Sequence, residues 1–212
     1  MPPVERTCRL FRILANRQRI RMLRLLSVAG ELRLMQIAKA VSTSPPRACA
    51  HLDRMTGVGL LWRRRSGRAV YYRLAESPAD PVVSAVLEAL RRVFKSVTGR
   101  DARRIAAAEQ SSSETDSDKA LFACFTGFTH PRRLQIVRYL IGHESAGPRV
   151  LRAVLGMSSV ACQRHLAKLR RRGFLVRRTP GREATYALGE ARGTVQQAVW
   201  QAVRTRLAAM TD

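Results

Sequence analysis

The sequence predicts a mainly α fold with small β-hairpins, α+β in class, in which one helix-and-hairpin unit is used twice. Three observations support this. From Thr43 the chain reads TSPPRACAHLDRMTGVGLLWRRRSGRAVYYRL, a helical pattern followed at once by two short strand patterns. The same pattern returns without a gap 114 residues later (165 − 51, from His51 to His165). The 212 residues carry a formal net charge of +24, so an anionic partner, most often nucleic acid, is expected.

The elements follow in order. Residues 4–15 suit a short helix with Leu10, Phe11 and Leu14 apolar. A second helix spans about 17–28, with Ile20, Leu23 and Leu25 or Leu26 inward, and Ala29-Gly30 breaks it. Leu34, Ile37, Ala38 and Val41 mark a third helix, and Ser42-Thr43 turns the chain. Ser44 is a natural N-cap for the fourth, with Pro45 and Pro46 in its first turn. Ala48, Leu52 and Met55 fall on one face of it, and Arg47, His51 and Arg54 on another. Gly57 and Gly59 stop it. Strands at 60–65 and 68–74 flank Ser66-Gly67, a pair of hairpin-turn length. After Pro81, the residues Val82, Val83, Val86, Leu87, Leu90, Val93, Phe94 and Val97 give a long helical stripe.

Residues 99–118 are read as a linker whose first part can extend that helix. Its stretch 111–118, SSSETDSD, is acidic and serine-rich and reads as solvated chain rather than a phosphorylation target. The second copy then begins with Leu121, Phe122, Phe125 and Phe128. Pro131 starts the next helix, with Leu134, Val137 and Leu140 or Ile141 apolar. Pro148 opens a third, with Val150, Leu151, Val154 and Leu155. A fourth runs from the N-cap Ser158 to about Arg172, and strands at 174–179 and 183–188 flank Pro180-Gly181. Val195, Ala198, Val199, Ala202 and Val203 form a last stripe ending near Leu207.

The 114-residue offset also pairs Ser44 with Ser158, Leu52 with Leu166, Gly59 with Gly173, Arg63-Arg64 with Arg177-Arg178, Gly67-Arg68 with Gly181-Arg182 and Tyr72 with Tyr186. A gap-free run through helix and hairpin indicates two copies of one domain, expected at 1–98 and 119–212. A polar-faced helix followed by a basic hairpin is the sequence shape of a winged helix-turn-helix.

These residues carry a family resemblance. RACAHLDRMTGVGLLWRRRSGRAVYYRL resembles the recognition helix and wing of the ArsR family, small bacterial and archaeal winged-helix repressors. The specific parts are the helix with His-Leu in its middle, the Gly-Leu-Leu exit and the wing Arg-x-Gly-Arg-x-x-Tyr-Tyr-x-Leu. LANRQRIRMLRLL resembles that family's ADPTRLRIL helix start, and THPRRLQIVRYL resembles it more closely. The resemblance covers most of the chain outside the linker. It implies a transcriptional regulator that binds double-stranded DNA. It also implies that the first and last helices of each domain form a dimer interface. We therefore expect the two copies to pack as an intramolecular pseudo-dimer, with a homodimer of whole chains as the runner-up.

In such a fold the recognition helix enters the major groove. The expected DNA contacts of the first copy are Ser44, Arg47, His51 and Arg54. Those of the second are Ser158, Ser159, Gln163, Arg164, His165 and Lys168. From the wings we expect Arg63, Arg64, Arg65 and Arg68, then Arg177, Arg178 and Arg182, on the backbone or in the minor groove. The two helices differ, Arg47-Ala48-Cys49-Ala50 standing where the second copy has Ala161-Cys162-Gln163-Arg164, so an asymmetric site is expected.

Other functions are less well supported. Members of the resembling family often bind metal through Cys-x-Cys on the third helix, but here those positions are Leu32 and Leu34. Others place His and acidic ligands on the last helix, and neither 79–98 nor 190–208 contains a histidine. No metal or other cofactor is expected. Cys8, Cys124 and Cys162 read as packing residues, and Cys49 as a partly exposed thiol open to oxidation. No phosphate-cradling glycine loop or nucleophile–base pair suggests an enzyme. No apolar run spans a bilayer and no signal-peptide core opens the chain, so a cytoplasmic, nucleoid-associated protein without membrane contact is expected. Two alternatives remain: an architectural protein coating DNA through charge, and a winged module that binds protein instead.

Overall fold

The computed structural model describes residues 3–107, 114–178, 184–191 and 193–209, with only the backbone for 96–107. Ten helices and five strands occur among them. In chain order they are α1 (Pro3–Leu14), α2 (Arg17–Ala29), β1 (Leu32–Arg33), α3 (Leu34–Ala40), α4 (Pro45–Thr56), β2 (Leu61–Ser66), β3 (Ala69–Leu74), α5 (Pro81–Ala107), α6 (Asp116–Gly127), α7 (Pro131–Ile141), α8 (Pro148–Leu155), α9 (Ser159–Arg171), β4 (Leu175–Arg178), β5 (Thr185–Leu188) and α10 (Gly193–Ala208). The class is mixed α+β, mostly helical with small antiparallel sheets. Two compact units form: residues 13–122, and residues 1–12 together with 123–212. The division falls inside α1 and α6, not in the expected linker.

In residues 13–122, α2 starts at Asn16, whose side-chain oxygen accepts the Arg19 N–H at 3.1 Å. Ile20, Met22, Leu23 and Leu26 point inward, and Leu25 is only half-buried. They meet the inward face of α4, Ala48, Leu52 and Met55, all fully buried. Gly59 takes a φ of 78°, a left-handed conformation that glycine adopts without a Cβ clash, and the Leu60 N–H returns to the Met55 carbonyl at 3.0 Å. The chain then enters the sheet, ordered β1-β3-β2. Arg63 pairs with Tyr72 and Ser66 with Ala69, and the two-residue strand β1 adds Leu32 opposite Tyr72. Strand β1 was not expected, because two residues are too short to show an alternating pattern. Helix α5 closes the unit against α2 with Val83, Val86, Leu87, Leu90, Val93 and Phe94. It continues to Ala107, through much of the expected linker.

The acidic end of that linker is solvated only at Asp116. Glu114 pairs with Arg17, and Asp118 is fully buried with its carboxylate 3.1 Å from the Arg24 guanidinium. Asp118 also accepts the Thr115 N–H while Thr115 Oγ1 accepts the Asp118 N–H, both at 3.1 Å, a reciprocal cap at the start of α6. A buried carboxylate is tolerable only with such partners. Residues 108–113, including Ser111, Ser112 and Ser113 of the expected linker, lie outside the described residues.

In the other unit the order of helices and hairpin is the same. β4 and β5 pair antiparallel, Leu175 with Leu188 and Arg177 with Tyr186, and Ala146 bridges to Tyr186. The core is aromatic. Phe128 lies 5.2 Å from Phe11, 4.4 Å from Phe174 and 6.1 Å from Trp200, ring centre to ring centre. Trp200 is buried on α10 and its indole N–H donates to the Gly189 carbonyl at 3.1 Å. The expected α10 stripe omitted it. Val150 and Val154, named among the apolar residues of this helix, are 45% and 57% exposed. They stand one turn apart on the outer ridge of α8, and Leu151 alone is fully buried there.

Because Phe11 belongs to this aromatic core, Phe11→Ala should lower stability by about 3–5 kcal/mol. Hydrogen exchange resolved by segment checks it: protection should fall first in α7 and α10, and least in α2 to α4.

Candidate nucleic-acid interface

Helices α4 and α9 each follow a short helix after a tight turn. Burial of one face turns the other outward. On α4, Ser44, Arg47 and Arg54 are exposed and His51 is half-buried. Ser44 is at the N-cap without a side-chain capping bond. On α9, Ser158 does cap, its hydroxyl oxygen accepting the Ala161 N–H at 3.3 Å. Ser158, Ser159, Gln163 and Arg164 are exposed, and Lys168 is half-buried.

His165 departs from expectation. It is only 4% exposed and its ring centre lies 4.4 Å from that of His130. It shares the inward face with Cys162, Leu166 and Leu169, so it does not stand in the open row with Gln163 and Arg164. Its Nδ1 and that of His51 are buried without a hydrogen-bond partner. Burial, then His130, Arg133 and neighbouring arginines, hold the His165 pKa down to about 4. Burial, then Arg19 and Arg54, lower that of His51. Both rings are therefore neutral near pH 7, and His165 supports α9 rather than presenting charge.

The wing arginines are held in different ways. Arg63 pairs with Asp53 at 3.4 Å. Arg64 pairs with Glu31 at 2.6 Å and lies 4.6 Å above the Tyr71 ring, which also receives Arg33. Arg65 Nε donates to the Gly67 carbonyl at 3.2 Å, beside the turn, and Arg68 is exposed at its far side. In the second hairpin Arg177 is exposed and Arg178 pairs with Glu144 at 3.3 Å. Arg182 lies outside the described residues. Exposed ion pairs of this kind exchange readily for a phosphate, because water already screens them.

Sequence reasoning missed Glu31 and Asp53, which organise the first wing, and also Arg19 and Arg133. Arg19 is 8% exposed, and the Nε atoms of both arginines are buried without a partner. The signal was present: Arg19 and Arg133 stand at the same 114-residue offset as the two histidines.

The thiols are quiet. Burial raises the pKa of Cys8, Cys124 (to about 11) and Cys162. Cys49 is half-buried, its thiol 3.4 Å from the Asp53 carboxylate, and burial followed by that contact raises its pKa too. Among the described residues, no three His, Cys, Asp or Glu side chains converge as a metal site, and no helix is long and apolar enough to cross a membrane.

His165 titrates near 4 in the folded chain and near 6.5 as a free side chain, so the unfolded state binds more protons between these values. Stability should rise with pH from about 4 to 6.5 and level off above, and be lost as pH falls through the same window. Denaturant titrations across this range check it, and His165→Gln should flatten the slope.

No family model matches the chain. Individual relatives do. Over 91 residues it is 35% identical to the arsenic resistance transcriptional regulator ArsR1 of Pseudomonas putida, covering 42% of this chain and 67% of that one. Over 76 residues it is 40% identical to the arsenical resistance operon repressor of Escherichia coli, covering 36% and 63%. Over 64 residues it is 36% identical to ArsR2 of P. putida, covering 30% and 56%. The match to the latter two thus spans less than two thirds of their length. With these relatives, and helix–turn–helix pairs followed by basic hairpins, the chain belongs to the ArsR family of transcriptional regulators.

Proposed function

We propose that the chain is a sequence-specific, DNA-binding repressor that reads one asymmetric site with two unequal winged helix-turn-helix copies joined as a pseudo-dimer. The observation that carries this reading is the paired exposure of α4 and α9, each buried on its apolar face and followed by an arginine hairpin. The repeat supports two copies: Leu32 pairs with Tyr72, and Ala146 with Tyr186, at the same 114-residue offset. The grouping of residues 1–12 with 123–212 supports a pairing of the copies within one chain, since first helices belong to the dimer interface in the resembling family. In this reading Ser44, Arg47, Arg54, Ser159, Gln163, Arg164 and Lys168 meet base edges and phosphates. Arg63, Arg64, Arg65, Arg68, Arg177, Arg178 and Arg182 hold the backbone or minor groove. His51 and His165 act from behind by fixing the helices.

The relatives' names speak of arsenic resistance. Leu32 and Leu34 stand where that family carries a Cys-x-Cys pair, so the proposed regulator does not sense arsenic at that position.

Genome-wide occupancy of the tagged protein tests the reading. Sharp peaks sharing a motif with unequal halves are expected; broad coverage following base composition would replace the regulator with an architectural protein, and no occupancy would favour a protein-binding module. On an operator found this way, Arg47→Ala and Arg164→Ala should each cost about 1–3 kcal/mol and relax specificity in different halves. Arg68→Ala should weaken operator and random DNA alike and lower the salt dependence. The solution mass should be that of one chain, and an obligate dimer of chains would overturn the pseudo-dimer.

A further inference from the structure

Beside the exposed face of α9, between it and the start of α7, lies a cleft of about 750 Å³. Its polar walls include His130, Arg133, Arg164, His165, Lys168 and the neighbouring Arg170-Arg171 pair, and no acidic side chain lines it. Such a cluster is costly when empty, because like charges repel and their desolvation is not repaid. The strain is visible in Lys168, whose pKa is lowered by burial and then by Arg172, Arg171 and Arg133. It is visible again in His130, lowered by burial and then by Arg133, Arg12, Arg164 and Arg132.

Two nitrogens in its wall are closed from water and have no hydrogen-bond partner. His165 is 96% buried (4% exposed), lines the cleft, and has no partner for Nδ1. Arg133 is held through one nitrogen, which donates to Thr129 Oγ1 at 2.7 Å and the Thr126 carbonyl at 3.3 Å, while its Nε has no partner. His130 Nδ1 accepts the Arg132 N–H at 3.2 Å, so the proton of the neutral ring resides on Nε2, a donor.

The first copy lacks the same arrangement. Arg19, His51 and Arg54 correspond to Arg133, His165 and Lys168, but Asn16, Ala50, Thr56 and Gly57 replace His130, Arg164, Arg170 and Arg171. Asp53 stands in place of Ala167 and supplies an internal carboxylate. The cationic cleft is thus not a by-product of the repeated fold.

We propose that this cleft is a binding site for a phosphate-class oxyanion, gripped by Arg133, Lys168 and Arg171 with His130 and His165 as further donors. The phosphoryl group has two sources, a DNA backbone phosphate or a soluble phosphate compound acting as an effector beside the recognition helix. The site itself stands whether or not the chain reads an operator.

The test is nuclear magnetic resonance of the histidine rings of the full chain, titrated with inorganic phosphate at constant ionic strength against chloride. The rings of His130 and His165 should shift saturably while His51, in the first copy, stays put. The apparent pKa of His165 should rise on binding, because an anion favours the protonated ring. Ala167→Asp, at an exposed position and copying Asp53, should weaken phosphate at least tenfold, and so should Lys168→Gln combined with Arg171→Gln. Unchanged amide spectra would show that these variants fold. A DNA duplex that abolishes the phosphate response would assign the cleft to the DNA backbone; a response that survives bound DNA would assign it to a soluble anion. Equal shifts in chloride, equal shifts at His51, or a response untouched by both variants would overturn the proposal.

Discussion

Everything this chain can offer a partner depends on the burial of one narrow face on each of two helices. Ala48, Leu52 and Met55 on α4, and Cys162, Leu166 and Leu169 on α9, are closed from water. Each leucine or methionine among them contributes roughly 1.5–3 kcal/mol on leaving water, relative to staying exposed. Once those faces are committed, the 3.6-residue period leaves Arg47 and Arg54, or Gln163 and Arg164, with nowhere to point but outward. The left-handed glycines at the helix exits, Gly59 and Gly173, both at φ 78°, then turn each chain directly into its hairpin.

Charge imposes the second constraint. With 39 basic and 15 acidic residues, few acids are available to neutralise any arginine. The described acids are used locally. Asp118 and Glu114 serve α2, while Asp53 and Glu31 serve the first wing. What remains uncompensated is concentrated on exposed faces and around α9, where Ala167 stands in place of an aspartate. A protein so built holds its own surface weakly and exchanges those contacts for phosphate oxygens at little cost.

The aromatic cluster plays a different role. Phe11 comes from the first helix, Phe125 from the sixth, Phe128 from just after it, and Trp200 from the last. Rings of this size bury much apolar area and fix the angle of the elements they join. The cluster therefore ties the beginning of the chain to its second half, across more than a hundred residues of intervening sequence.

The sequence by itself determined the helices, both hairpins and the family, because each rests on local signals: apolar period, capping residues, turn glycines and short motifs. It also determined which helices present polar faces. Tertiary structure alone decided the rest. Helical spacing placed His51 and His165 with the polar residues, yet the packing of α7 against α9 buries His165 beside His130. Glu114 and Asp118 look like part of a solvated linker until Arg17 and Arg24, about a hundred residues earlier, are brought against them. Strand β1 exists only because Tyr72 is there to pair with it. The units divide within α1 and α6 because Phe11 finds its partners in residues 123–212. In every case the deciding contact joins residues far apart in the chain, and no local pattern records such a contact.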